Sequence, residues 1–313
     1  MSTKITNNTG ISLPIAVWLA IDEYDYSDQE NLISATTLIK PVKQIVLGRR
    51  YKEADKEMDV ADLLAVKMGT AFHNDIENAW KLKDKCIEAL TAFGYKNPEA
   101  IYDKITFEKR SSKEFGRYEV SGKFDLVFDG IVADIKSTST WTYIFGSNDD
   151  AYIKQLSIYR VLHPDLIVND AGYIEFIFTD WSAVKAKQDS QYPQQRVATK
   201  KMELMSVTDT EKWITDKLAL VEKTEKLPDN KLPDCTDEEL WKKEDKWKYY
   251  GIKGAKRAIK VFNTQADAEL MLSVKGKGEV KKFAGGVKRC KYCSYINFCD
   301  QYSRLQMQGL IND

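Results

Sequence analysis

Two aspartates and a lysine flank a predicted tight turn. Asp129-Gly130 favours a two-residue hairpin, and apolar residues alternate on both sides of it. Asp125 lies on the first predicted strand, whereas Asp134 and Lys136 point to the same face of the second. Charged groups are rare in apolar strands unless they are paired or hold a metal. Two carboxylates that gather a divalent cation beside an ammonium form a site for phosphodiester hydrolysis; the alternative is an exposed ion pair of little energetic value.

Two further polar pairs have helical spacing. His73 and Glu77 are four residues apart and share a predicted helix face, where the imidazole would bind a divalent metal and Glu77 would orient it or hold a water. Gln155 and Tyr159 have the same spacing. The Gln amide would hold a water or a phosphate oxygen, and the Tyr would bond a phosphate or stack on a base. Each pair, taken alone, is also compatible with a structural role.

Composition indicates a globular protein but no particular partner. The chain has 313 residues, 43% of them hydrophobic, with 47 basic and 47 acidic side chains. Because the net charge is zero, any nucleic-acid surface must come from local clusters of Lys and Arg. No apolar run reaches the length of a membrane span, and the N-terminus lacks a signal pattern, so we expect a cytoplasmic protein without membrane partners.

The order of predicted elements is typical of a mixed sheet flanked by helices. Strand, strand, helix and strand follow one another around the hairpin, which indicates an α/β fold. The pattern changes after residue 195, so we expect a core at 1–195 that begins with a helical region, and a C-terminal subdomain at 196–313. Besides the hairpin, the predicted elements are strands at 102–109, 117–120, 171–178 and 201–207, helices at 149–162, 208–226 and 264–272, and a small hairpin at 246–262.

Three of the five cysteines lie within ten residues, in the pattern Cys290-x2-Cys293-x5-Cys299. An odd number of clustered cysteines is typical of a metal or cluster site rather than of a disulfide framework. Three thiolates need a fourth ligand to hold either Zn²⁺ or a four-iron cluster. Cys86 lies in a helical pattern, and we expect it to be a buried thiol.

Taken together, the signatures occur in the order G-x-x-x-H-x-x-x-E from Gly69, G-K-x-D from Gly122, D-x-K, and Q-x-x-x-Y. This combination resembles the RecB-like branch of the PD-(D/E)XK nuclease superfamily, which includes the nuclease domains of RecB and AddB and the CRISPR-associated RecB-like exonucleases. The stretches at 33–41 and 180–182 are similar to phage-borne, stand-alone members. The resemblance implies a restriction-endonuclease-like core, with a mixed central sheet flanked by helices, and a C-terminal subdomain closed by cysteines.

The same resemblance implies a role for each matched residue. His73, Asp125, Asp134 and the backbone carbonyl of Ile135 would bind Mg²⁺ or Mn²⁺, which polarises the phosphate and lowers the pKa of a bound water. Lys136 would orient the attacking water and stabilise the negative charge that develops on phosphorus. Oxygen and imidazole ligands suit a hard cation, in agreement with this assignment.

The remaining matched residues concern the substrate. Gln155 and Tyr159 would position the nucleic acid, and Ser137 and Thr138 would bond a phosphate. We therefore expect a metal-dependent deoxyribonuclease, first of all an exonuclease acting on ends or single strands in recombination, repair or replication, with a helicase or recombinase as partner. A non-cleaving DNA-binding subunit of a recombination complex and a structure-selective endonuclease are the alternatives.

The cysteine ending is similar to that of AddB and the CRISPR-associated exonucleases, where a distant fourth cysteine upstream of the nuclease core completes a 4Fe–4S cluster. Here the segment before His73 contains no cysteine, so we assign Cys235 as the fourth ligand. The cluster ligands would be Cys235, Cys290, Cys293 and Cys299, with structural Zn²⁺ as the alternative to iron. Such a cluster would fix the C-terminal subdomain to the core.

Overall fold

The computed structural model describes residues 4–22, 29–52 and 57–311. The strands are β1 (Lys4–Thr6), β2 (Leu32–Ser34), β3 (Glu57–Asp59), β4 (Ile105–Phe115), β5 (Tyr118–Phe128), β6 (Ile131–Thr138), β7 (Ala171–Phe178), β8 (Val197–Glu203), β9 (Lys246–Tyr250), β10 (Lys260–Phe262) and β11 (Glu279–Phe283). The α-helices are α1 (Leu13–Ala20), α2 (Ala35–Leu38), α3 (Val42–Arg50), α4 (Leu64–Trp80), α5 (Lys83–Ala92), α6 (Pro98–Tyr102), α7 (Thr140–Phe145), α8 (Asp149–Leu162), α9 (Ala183–Gln188), α10 (Val207–Glu225), α11 (Gln265–Lys275) and α12 (Asp300–Met307). Short 3₁₀ helices cover Val60–Leu63, Asp229–Lys231, Arg289–Tyr292 and Ile296–Phe298.

Six strands form a mixed central sheet. Its order is β2-β5-β6-β7-β8, and β4 pairs with β5. β6 and β7 are parallel, whereas β4–β5, β5–β6 and β7–β8 are antiparallel. Helices α4 and α8 pack against β6, and α8 also contacts β4, β5 and β8. The predicted α/β architecture, a mixed sheet flanked by helices, is therefore confirmed.

The predicted hairpin turn joins β5 to β6. Asp129 has a φ of 49° and Gly130 a φ of 80°, as a two-residue turn between right-twisted strands requires. The pairing of Phe128 with Ile131 closes the hairpin directly beside the turn. A Cβ atom at Gly130 would also lie 2.7 Å from a methyl group of Val168. Both the backbone angle and the close contact therefore favour glycine here.

Helix α8 and strand β7 have the bounds that the sequence predicts. Their apolar patterns are long and regular, and Leu156, Ile158 and Ile174 are fully buried between them and the neighbouring strands. Each such side chain contributes roughly 1.5–3 kcal/mol by leaving water. The first two predicted strands are longer in the structure, because β4 continues to Phe115 with polar residues that pair with β5.

The described chain forms two compact units. The first unit comprises the described residues of Met1–Ile39 and Glu53–Ala219, and the second those of Lys40–Lys52 and Leu220–Asp313. This division differs from the predicted boundary at 195 because β8 pairs with β7 in the central sheet, and because α3 groups with the C-terminal residues.

The second unit contains a three-stranded antiparallel sheet in the order β10-β9-β11, and α11 packs on it. The predicted small hairpin corresponds to β9 and β10. β8 is the strand predicted at 201–207, and it begins and ends earlier in the chain than predicted. None of the described helices combines the length and the apolar character that crossing a membrane requires.

Candidate active site

Asp134 is almost fully buried on β6. Gln155 Nε2 donates a hydrogen bond of 2.9 Å to its Oδ1 atom, and Lys136 Nζ lies 2.5 Å from its Oδ2 atom. Burial raises the pKa of Asp134 to about 6, although the ammonium of Lys136 opposes the shift. A carboxylate is thus kept inside the protein beside an amide and an ammonium, which is a costly arrangement without a function.

Lys136 lies two residues further along β6, on the same face as Asp134, as the strand period predicts. Its side chain as a whole is 26% exposed. The ammonium also lies 5.7 Å from the ring centroid of Tyr152. Burial alone would lower the pKa of Lys136, but the carboxylates of Asp134 and Asp125 outweigh it and the pKa is raised. Lys136 is therefore a cation at neutral pH.

Asp125, His73 and the backbone of Ile135 are in mutual contact. The amide of Ile135 donates to Asp125 Oδ2 at 2.7 Å, and His73 Nδ1 lies 3.2 Å from Asp125 Oδ1. His73 Nε2 lies 3.0 Å from the carbonyl oxygen of Ile135. Burial alone would lower the pKa of His73, but Asp125, Asp134 and the Ile135 carbonyl outweigh it and the pKa is raised. The structure thus brings together the donors that the resemblance implies as metal ligands.

Three side chains of α8 face this group. Gln155 Nε2 donates to Tyr159 at 2.8 Å as well as to Asp134. Tyr152 lies one turn before Gln155 and contacts Lys136 through its ring, and burial raises the pKa of its hydroxyl. Tyr152 was not among the predicted site residues, although its position three residues before Gln155 places it on the same helix face. Sequence spacing therefore carried a usable signal for this residue.

The other predicted site residues are farther from the centre of the group. Glu77 Oε1 pairs with Lys81 Nζ at 3.0 Å, and no hydrogen bond joins Glu77 to His73 in the described part of the chain. Ser137 lies against α4, where a Cβ atom added to Gly69 would be 3.3 Å from its Oγ atom. The Thr138 hydroxyl donates to a threonine of α7 at 3.1 Å.

The backbone is distorted directly across the sheet from Asp125. Glu108 of β4 has a φ of 33°, and the regular pairing of β4 with β5 skips this position. The carboxylate of Glu108 pairs with Lys123, two residues before Asp125. Backbone strain of this kind is concentrated at functional sites. The amino-acid sequence contains no signal for it.

Within the described ranges, no three His, Cys, Asp or Glu side chains form a group arranged to hold a metal ion. In the site around β6, direct contacts join His73 to Asp125 and Lys136 to Asp134. The donor set nevertheless consists of two carboxylates, one imidazole and one carbonyl oxygen, which are donor types that Mg²⁺ and Mn²⁺ accept. By donor chemistry, these residues fit a hard divalent cation.

The four cysteines predicted as cluster ligands line one cavity of the second unit. It has about 400 Å³ of empty space, part of it open to solvent, and its lining includes Cys235, Cys290, Cys293 and Cys299 together with Lys43 and Arg289. All four cysteines are free thiols. Burial raises the pKa of Cys235 to about 12 and that of Cys290 to about 11. Thiolates would therefore form here only with a compensating cation.

Cys86 differs from the prediction. It is a free thiol on α5 and only partly buried, and its Sγ atom donates to the carbonyl of Ala79 at 3.3 Å. The helix α5 buries only Leu90, so the apolar pattern around Cys86 covers less surface than a core helix would. The prediction of a buried thiol was wrong for this reason.

A buried cation supports the cysteine cavity. Lys43 of α3 is 3% exposed, and its Nζ atom lies 2.9 Å from carboxylate oxygens of both Asp234 and Asp300. The side chain of Gln301 makes two hydrogen bonds of 2.8 Å with the backbone of Cys235. Lys43 was not predicted from the sequence, because a contact across so many residues leaves no trace in local spacing.

No protein-family model matches the chain, and neither does any curated protein. Among solved structures, the crystal structure of SSO0001 is similar at a TM-score of 0.42 and 18% identity, over 66% of this chain and 83% of that one. A phage-related exonuclease from Haemophilus somnus 129PT is similar at a TM-score of 0.28 and 16% identity, over 59% of this chain and 90% of that one. At these values, neither similarity assigns a function to this chain.

Proposed function

We propose that this chain is a Mg²⁺- or Mn²⁺-dependent deoxyribonuclease with a restriction-endonuclease-like core. The observation that carries the proposal is the pairing of nearly buried Asp134 with Lys136, beside Asp125 and His73. Ionisable groups with strongly shifted pKa values gather at catalytic sites more often than elsewhere. A simple surface ion pair would not bury its carboxylate, so the geometry favours the hydrolytic interpretation over the structural one.

The metal would be held by Asp125, Asp134, His73 and the carbonyl of Ile135. When bound, the cation polarises the phosphate oxygens and lowers the pKa of a water molecule. Both ring nitrogens of His73 contact oxygen atoms, those of Asp125 and of the Ile135 carbonyl, and the nitrogen that ligates the metal would have to give up its proton. Asp134 would act in its ionised form, since only the carboxylate is a ligand.

Lys136 supplies a compact positive charge on a side chain that is 26% exposed. From this position its ammonium would orient the attacking water and stabilise the negative charge that develops on phosphorus. The carboxylate of Asp134 holds the ammonium in place at 2.5 Å, and the ring of Tyr152 also lies near it. Arginine would not replace this lysine, because its planar fork has a different shape and different hydrogen-bond directions.

Gln155 would serve the site by fixing Asp134. Its amide donates to both Asp134 and Tyr159, so it links the carboxylate to α8. Tyr159 would extend this network towards the nucleic acid. Exonucleolytic action on ends or single strands, and work with a helicase or recombinase in recombination, repair or replication, are the parts of the proposal that rest on the sequence resemblance.

For the second unit, we propose a 4Fe–4S cluster bound by Cys235, Cys290, Cys293 and Cys299, with Zn²⁺ as the alternative. All four cysteines line one cavity, which supports a shared site. Deprotonating the buried thiols is unfavourable without a metal, since burial raises the pKa of Cys235 and Cys290. The cluster would stabilise the fold of this unit.

The test is cleavage of end-labelled single- and double-stranded DNA with Mg²⁺ or Mn²⁺, comparing the wild type with Lys136→Ala. Lys113→Ala is the matched control, because Lys113 is also paired with a carboxylate, Glu211, but lies in an exposed part of β4. We expect the wild type and the control to cleave, and Lys136→Ala to lose activity by at least about a hundredfold while it still binds DNA.

Cleavage that persists in purified Lys136→Ala would exclude this lysine as the catalytic one. A wild type that binds DNA and never cuts it with either cation would refute the nuclease proposal. A product ladder from the wild type would also give the direction of digestion.

A further inference from the structure

Two aromatic rings are stacked on the surface directly after the strand that carries Lys136. Trp141 and Phe145 lie one turn apart on α7, with ring centroids 5.6 Å apart and planes at 13°. Trp141 is 48% exposed and Phe145 is 72% exposed. Helix α7 begins at Thr140, four residues after Lys136. Two large rings thus present apolar surface to water within a few residues of the proposed catalytic pair.

A cationic side chain borders one of these rings. Lys185 Nζ lies 5.5 Å from the ring centroid of Trp141 and 5.8 Å from that of Tyr192. Among the residues that the structure describes, Lys185 forms no ion pair with a carboxylate. Its charge is therefore available to an anionic ligand.

The rings are held on a firm support. The amide of Thr140 donates to Asp180 Oδ1 at 2.6 Å, which ties the start of α7 to the end of β7. On the same helix, the ring of Tyr143 packs edge-on against those of Phe176 and Phe178, with ring centroids 5.3 and 5.5 Å apart. Tyr143 therefore fills the inward face of α7 and leaves Trp141 and Phe145 on the outward face. A prepositioned aromatic pair loses little conformational entropy when a flat ligand stacks on it.

This combination of features matches the chemistry of single-stranded nucleic acid. Unpaired bases offer flat aromatic faces to exposed rings, and the phosphates between them need cations. Bases inside a duplex are already stacked on one another and cannot use such a surface. A protein partner would use the apolar area but would have no need of an available cation beside it. Charge complementarity therefore favours a single strand.

We propose that Trp141 and Phe145 form a stacking platform for the bases of single-stranded DNA, with Lys185 contacting its phosphates. The platform would hold the strand that leads to Lys136, and in this respect it rests on the proposed nuclease function. It adds a binding site on α7 and α9, outside the residues that the motifs single out.

The experiment measures DNA binding in EDTA, where no divalent cation supports hydrolysis. The ligand is a fluorescently labelled oligo(dT), compared with a labelled duplex of the same length, by fluorescence anisotropy. We expect Trp141→Ala/Phe145→Ala to bind the single strand at least about tenfold more weakly, since each lost stacking contact weakens binding. Trp141→Phe keeps an aromatic face and should bind within about threefold of the wild type. Phe93→Ala, at an exposed phenylalanine after α5, is the matched control and should bind like the wild type.

A second variant tests the proposal independently, in case the double mutant does not fold. Lys185→Glu reverses an exposed charge, and we expect it to weaken single-strand binding and to lower the dependence of affinity on salt. Unchanged single-strand affinity in both folded variants would overturn the proposal. If Trp141→Ala/Phe145→Ala lost affinity equally for the single strand and for the duplex, the proposal would also be overturned. Stacking on the platform requires unpaired bases, so it should affect only the single strand.

The outcomes separate this proposal from the nuclease proposal. Binding that depends on Trp141 in a wild type that never cuts DNA would refute the nuclease and leave the platform standing. Cleavage of single strands that depends on Lys136 but is unimpaired in Trp141→Ala/Phe145→Ala would refute the platform alone.

Discussion

Lys43 Nζ lies 2.9 Å from Asp234 Oδ1, across a separation of 191 positions in the chain. Asp234 directly precedes Cys235, and Asp300, the second partner of Lys43, directly follows Cys299. One buried ammonium therefore joins the two segments that carry two of the proposed cluster ligands. The cysteine cavity depends on a helix that the sequence places far from the cysteines.

We predict that Lys43→Ala destabilises the second unit by about 1–3 kcal/mol, because two carboxylates lose their shared buried partner. Arg304→Ala is the control: its guanidinium also contacts Asp234 and Asp300, but it is 45% exposed, so its loss should change stability by less than about 1 kcal/mol. Urea unfolding of both variants checks the prediction. Equal, small effects would show that burial of Lys43 does not strengthen its ion pairs.

Cysteine replacement tests the metal proposed for the second unit. We expect Cys235→Ser, purified without oxygen, to contain less than about half the metal of the wild type, because one of four ligands is lost. Cys86→Ser should retain all of it, since Cys86 lies on α5 in the first unit. Metal analysis and the visible absorbance of iron–sulfur clusters give the result. Zinc without iron in the wild type would select the alternative, and the absence of both would reject the site.

Gln155 and Tyr159 should differ in importance although they share a hydrogen bond. Gln155→Leu removes the donor to the buried carboxylate of Asp134, and we expect the cleavage rate to fall by about 10- to 100-fold. Tyr159→Phe keeps the buried ring and loses only the hydroxyl that accepts from Gln155, so the rate should fall by less than about tenfold. Single-turnover cleavage rates measure both. A larger loss of cleavage rate in Tyr159→Phe than in Gln155→Leu would mean that the Tyr159 hydroxyl contacts DNA directly.

Two motif glycines should respond differently to an added methyl group. A Cβ atom at Gly122 would lie 2.9 Å from ring atoms of Tyr159 and from Leu162, so Gly122→Ala should destabilise the first unit by about 1–3 kcal/mol. At Gly69 the nearest atom is Ser137 Oγ at 3.3 Å, and the helix gains an alanine, so Gly69→Ala should change stability by less than about 1 kcal/mol. Thermal unfolding of the two variants checks this difference. Equal destabilisation would mean that Ser137 cannot move.

Asp59 gives a prediction for low pH. A hydrogen bond from the Thr9 hydroxyl, followed by bonds from the amides of Ala61 and Asn8, lowers the pKa of Asp59 to about 2. Because the pKa in the folded chain is lower than in the unfolded chain, its stabilisation is complete above about pH 4 and is lost as the pH falls through about 2. Asp59→Asn should therefore lower the melting temperature at pH 7 by much more than at pH 2. A decrease in melting temperature that is equally large at pH 2 would show that it does not come from the lowered pKa of Asp59.

The features that could be predicted from the sequence depend on neighbouring residues. The turn at Asp129-Gly130, the placement of Asp134 and Lys136 on one face and the bounds of α8 all follow from periods of two or 3.6 residues and from turn chemistry. Their local signals agree with the tertiary fold, so nothing overrides them.

The features that could not be predicted depend on residues far apart in the chain. The pairing of Lys43 with Asp234, the assignment of α3 to the second unit and the approach of Lys185 to Trp141 each join segments with no common period. Propensity and spacing describe one segment at a time, so they contain no information on such pairs. The strained backbone of Glu108 belongs to the same class, because it follows from sheet pairing and not from residue type.

The membership of α3 in the second unit has a consequence for the order of synthesis. Lys43 leaves the ribosome 191 residues before its partner Asp234, a delay of roughly 10–40 s at ordinary rates of translation. When Asp234 emerges, all six strands of the central sheet have already been synthesised and are free to pair. The second unit therefore cannot complete the buried ion pairs of Lys43 until Asp234 and Asp300 have both been synthesised.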